Sequence, residues 1–110
     1  MGGQDTREIT LFVNPVAIQV GRLTEVVEAE DAGRVLEALE ELPTDQASQA
    51  ASLIRRAQRV SADRHTSNAV ARIDALTGAA LLAAINTLQR KRLMSIPLMA
   101  LQTALREQRR

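Results

Sequence analysis

The hydrophobic and polar positions divide the chain into segments of two different periods. From Glu8 to Val20 apolar residues alternate, first Ile9, Leu11 and Val13, then Val16, Ile18 and Val20, and β-branched side chains dominate, which predicts extended structure. Asn14-Pro15 interrupts the run, so the lead-in is either an edge strand or a segment separate from the strand over 16–20. Gly21-Arg22 can turn the chain, and Leu23 to Val27 returns as the second strand of a hairpin. A two-stranded hairpin is marginal alone in water, so it must lie on helices or pair with an edge from another copy.

Beyond the hairpin the period becomes helical. Ala32, Val35, Leu36, Leu39 and Leu42 share one face of a helix over Ala29 to Leu42, with Glu30 and Asp31 in the first turn, where the macrodipole favours acids, and Pro43 after it. Thr44 or Asp45 can cap a second helix, whose inner face is Ala47, Ala50, Ala51, Ile54 and Ala57, widened by Leu53 and Val60, and whose outer face holds Arg55, Arg56 and Arg59. Ser61 to Thr66 is polar and predicts a connector. The longest apolar-periodic stretch, Ser67 to Arg92, predicts a central helix whose start Ser67 or Asn68 can cap. Val70, Ile73, Leu76 or Thr77, Leu81, Ile85 and Leu88 mark its inner face, and alanines fill the spaces between them. Gly78 within it marks either a break or a close contact. Ser95 and Pro97 open a last helix, with Met94, Leu98, Leu101 and Leu105 on one stripe.

These elements predict an α+β fold: a small N-terminal antiparallel β-hairpin packed on a layer of three to four α-helices, with a C-terminal amphipathic helix. Residues 1–92 form one domain with 1–7 as a flexible terminus, and 93–110 form an amphipathic helical tail. Of the tail's three possible roles, packing on its own domain, docking on another copy and lying on a membrane surface, the last is the weakest, because the stripe lacks Trp and Phe.

Composition narrows the core. Phe12 is the one aromatic residue among 110, so burial rests on Leu, Ile, Val and Ala, and a thin core of this kind makes oligomerisation a natural supplement. The absence of cysteine removes disulfides, thiolate nucleophiles and Cys-based zinc sites, and fits a reducing compartment. No signal-peptide pattern and no apolar run of about 18 residues occur, which points to a soluble cytoplasmic protein without a membrane span. Met1-Gly2-Gly3 with Thr6 touches the myristoylation pattern too briefly to carry that reading.

The formal net charge of +1 hides an asymmetry. Residues 1–45 carry ten acids and three bases, and residues 46–110 carry eleven bases and three acids. The basic half offers possible contacts for an anionic partner at Arg55, Arg56, Arg59, Arg90, Lys91 and Arg92, with Arg64, Arg106, Arg109 and Arg110 further along. Against nucleic acid stand the lack of stacking aromatics and the lack of a helix-turn-helix with reading residues.

Catalytic chemistry is sparse. His65 is the single histidine; Asp63 and Asp74 near it have no metal-ligand spacing, and Ser61 or Ser67 with His65 makes no nucleophile elbow. Glu37, Glu40 and Glu41 lie opposite the apolar stripe of the first helix and are read as a hydrated face. No phosphate-cradling glycine motif is present. Neither catalytic residues, cofactor, metal nor small-molecule ligand is expected.

The order Phe12, Pro15-Val16, Gly21-Arg22, Glu30-Asp31-Ala32, Leu36, Leu39 and Pro43, then Ala71-Arg72 in an alanine-rich stretch, resembles a family of short bacterial proteins known as a domain of unknown function. The resemblance spans roughly residues 9–86 and departs from the family pattern at Leu42, where a Trp would stand, and at Leu53-Ile54, where a cysteine is common. The connector Ser61 to Thr66 and the stretch after Arg92 look added. It implies a small α+β fold and no activity. The functional expectation is a non-enzymatic protein-interaction module that self-associates, most simply as a homodimer, with Met94, Leu98, Leu101 and Leu105 as assembly residues. Nucleic-acid binding through the basic half is the alternative.

Overall fold

In the computed structural model residues 15–64 and 69–108 are described, with the backbone alone for 61–64. The lead-in over Glu8 to Asn14, the Met1 to Thr6 terminus, His65, the Ser67 or Asn68 cap and Arg109-Arg110 lie outside the described residues. The chain forms β1 (Val16–Val20), β2 (Leu23–Val27), α1 (Ala29–Glu40), α2 (Asp45–Arg64), β3 (Val70–Ile73), α3 (Ala75–Arg90) and α4 (Ile96–Gln108). This is the expected α+β fold, with the hairpin, three helices and a C-terminal helix.

The hairpin forms as its pattern requires. Gly21 turns the chain with φ +61°, a conformation that glycine adopts without Cβ strain, and β1 and β2 pair antiparallel from Val16↔Val27 to Val20↔Leu23. One difference changes the sheet. Val70–Ile73, expected as the start of the central helix, is a third strand parallel to β1, pairing Ala17 with Val70 and Val20 with Ile73, so the order is β2-β1-β3. A spacing of three between Val70 and Ile73 suits a helix face, but these residues are also β-branched, and Ala71 and Ile73 alternate inward from a strand. The edge of β1 opposite β2 decides between them, because its backbone groups need a partner. The connector is shorter than expected, since α2 runs on through Ser61 to Arg64.

A single core joins all the elements. Val16, Ile18, Val20, Val27, Ala71 and Ile73 line the inner face of the sheet, and Val35, Leu39, Ile54, Leu81, Ile85, Leu98, Leu101 and Leu105 fill the space beneath it. The central helix α3 contacts α1, α2 and α4, and its alanines Ala80 and Ala84 are buried. Gly78 does not break it. A Cβ there would run into the Gln108 side chain and stand 3.2 Å from Leu105 Cδ2, so the glycine lets α4 come close to α3. Farther along the same helix pair, buried Gln102 donates through Nε2 to Asn86 Oδ1 and Gln89 Oε1, each at 2.9 Å. The two contacts fix the register of an antiparallel helix pair.

The C-terminal helix is therefore part of the domain and no separate tail. Leu98, Leu101 and Leu105 are fully buried against their own chain and Met94 is half-buried, so the stripe expected to hold an assembly together is internal core. The reason is the sheet: α4 packs on β2 and β1, whose inner face the other helices leave partly open. A surface role for the stripe is corrected accordingly.

The end of α3 carries a second local feature. Leu93 N donates to Leu88 O at 2.9 Å and Arg92 N to Gln89 O at 3.0 Å, a Schellman closure in which Arg92 takes φ 62° where glycine is usual. Replacing Arg92 with glycine should raise stability by about 1 kcal/mol, since the left-handed penalty disappears. Leu101→Ala should lower it by about 2–5 kcal/mol. Urea denaturation checks both, and an unchanged midpoint for Leu101→Ala would contradict the buried position.

Candidate functional site

The surface that stands out is set by how α3 begins. Asp74 caps the helix: Thr77 N donates to Asp74 Oδ1 at 2.8 Å, and Asp74 N donates to Thr77 Oγ1 at 3.2 Å, a reciprocal capping box. Thr77 Oγ1 also donates to Asp74 Oδ1 at 2.8 Å. This turns Thr77 inward, to 3% exposure, and leaves Leu76 on the outside at 66%. Of the two residues that the helical pattern offered for the inner face, the structure takes Thr77.

Leu76 stands on the lip of an apolar groove of about 350 Å³. Its floor and walls are Ala75, Ala79, Ala80 and Ala83 of α3 and Leu42 from the turn after α1, with Thr44 and Gln46 at the start of α2 as its polar members. The groove exists because the alanine methyls are too small to fill the space between α3 and that turn. Periodicity reads the alanines as spacers and leaves Leu76 or Thr77 for the inner face. The signal that could have found the groove is the Asp-x-x-Thr pattern at 74–77, which marks where the helix starts and so which face turns out.

A second groove lies at the same helix start, where Ser48, Gln49, Ser52, Leu53 and Arg56 of α2 face Asp74 and Thr77. Its acid is already committed. The backbone N–H and then the hydroxyl of Thr77 hold the Asp74 carboxyl below its ordinary pKa, so it stays ionised as a helix cap.

The other expected site residues fall into separate places. Arg55 pairs with Glu40 across α1 and α2, and Arg34 pairs with Glu30 and Asp31, whereas Glu37 and Glu41 are exposed. Arg56 lines the second groove and Arg59 is exposed on α2. Arg90 donates to Thr87 Oγ1 at 3.1 Å, and Lys91 and Arg92 are exposed at the far end of α3. Since Arg56 lies beside the start of α3, its group and the Arg90 to Arg92 group stand apart by the length of that helix, about 24 Å at the helical rise. The structure does not bring the basic residues together. Among the described residues no group of three or more His, Cys, Asp or Glu side chains could hold a metal ion, and no helix is long and apolar enough to cross a membrane.

No family model, curated protein or solved structure matches the chain. The functional reading rests on the residues themselves.

The cap gives a pH prediction. Because the folded-state pKa of Asp74 lies below its unfolded value, the cap's stabilisation is full above the ordinary carboxylate range and is lost as pH falls through the lowered value. Asp74→Ala should therefore lower the melting temperature at neutral pH, with the gap to the parent closing in acid. Thermal melts of both proteins across that range check it; a gap independent of pH would assign the effect to something other than the carboxylate.

Proposed function

We propose that this chain is a small, non-enzymatic interaction module that self-associates as a dimer, and that the apolar groove on α3 is its docking surface. The observation that carries this reading is Leu76, two-thirds exposed on the lip of an alanine-lined groove. A protruding leucine and a shallow apolar recess on one helix are a knob and a hole in the same molecule, and a two-fold pair uses both twice. Exposed apolar surface of this kind gains from being covered. The groove holds no titratable side chain, which favours binding over catalysis. The absence of cysteine fits a cytoplasmic setting.

Nucleic acid is the weaker reading, because the two basic groups lie at opposite ends of α3 and Arg55 is engaged by Glu40.

The test is the solution mass by light scattering at about 50 and about 500 mM salt, with and without a generic duplex DNA. A dimer at both salt concentrations whose mass is unchanged by DNA is expected. A monomer throughout would overturn the reading, and a DNA complex formed by a monomer at low salt alone would replace it with the nucleic-acid one.

A further inference from the structure

The arrangement of charge about the groove selects how two copies would meet. Leu42, the second residue after α1, lines the groove beside Ala75, Leu76 and Ala79, so the acidic end of α1 stands next to the first turns of α3. Glu37 and Glu41 lie there one turn apart and exposed. The opposite end of α3 carries Arg90 and Lys91, also exposed, about 21 Å beyond Leu76 at the helical rise. Among the described residues none of these four charges has an ion-pair partner, while Glu30, Asp31, Arg34, Glu40 and Arg55 all do. The groove is thus flanked by an unpaired acidic end and an unpaired basic end.

We infer that two copies pair across this groove with their α3 helices antiparallel, about a two-fold axis beside Ala79 and Ala83, so that Glu37 and Glu41 of each copy meet Arg90 and Lys91 of the other. The inference rests on the reading of the chain as a self-associating module and adds the orientation of the pair. A two-fold axis across a helix necessarily reverses its mate, and reversal brings each acidic end to a basic one. A parallel arrangement would set acid against acid and base against base. With alanine at both central positions the helix axes can approach to the short end of the usual range of about 8–10 Å. Ala79 of one copy then lies over Ala83 of the other, with Leu76 one turn further out at each end of the contact. The asymmetry between the acidic and basic halves of the chain becomes, in this pair, complementarity between copies.

The experiment is sedimentation equilibrium of the full chain at about 50 mM salt, where exposed charges are least screened, with circular dichroism melts to confirm folding. Leu76→Asp places an acid in the first turn of α3, where the dipole welcomes it, so it should abolish the dimer while leaving the melt unchanged or slightly raised. The double variants Arg90→Glu with Lys91→Glu, and Glu37→Lys with Glu41→Lys, should each weaken self-association on the order of tenfold or more. Mixed in equal amounts, the two should recover a heterodimer of parental affinity, because every facing pair is again of opposite sign. If the parent dimerises but the reversed variants match it and their mixture shows no preference, the antiparallel orientation is wrong while self-association stands. If the parent is monomeric, both fall.

Discussion

The open face of α3 depends on the reciprocal hydrogen bonds between Asp74 and Thr77. They end β3 and start α3 within one residue, which sets the rotation of the longest apolar element about its own axis. Rotation decides what is core. With Thr77 held inward, Ala80, Leu81, Ala84, Ile85 and Leu88 follow it into the interior, and Leu76, Ala79 and Ala83 form the open side. Periodicity alone, with a helix begun near Ser67, leaves either Leu76 or Thr77 on the inner face.

The second constraint is size. With no aromatic side chain among the described core residues, apolar contact has to come from closeness. Alanines along α2 and α3 allow the helices to approach, and Gly78 allows α4 to approach further, where Leu105 and Gln108 cover it. The same small residues have a cost on the outside. Where no helix of the chain lies against them, they leave a recess, and Leu76 beside it is exposed. The packing strategy of the interior and the candidate docking surface have the same origin.

Charge follows a third rule. Acids on α1 that have a basic neighbour within reach use it, as Arg34 and Arg55 show, and these surface pairs add little stability. The charges left over sit at the two ends of the groove. They matter for orientation more than for folding, because exposed ion pairs act mainly by excluding the arrangements in which like charges meet.

The amino-acid sequence determined on its own the hairpin, the first two helices and the presence of a helix over 96–108, because each of these follows from local period, a turn residue or a proline whose effect does not depend on distant neighbours. It also marked Gly78 as unusual, without saying whether the helix broke there or came close to a neighbour. Tertiary structure alone decided that Val70–Ile73 is a strand, since the four residues Val-Ala-Arg-Ile are too few to separate the two periods and the open edge of β1 supplies the missing backbone partner. It decided that the Leu98, Leu101 and Leu105 stripe is internal, because amphipathicity requires a helix face to be covered and does not name what covers it. And it decided which of Leu76 and Thr77 faces the solvent, through two hydrogen bonds of the Asp-x-x-Thr cap that hydrophobic periodicity does not encode.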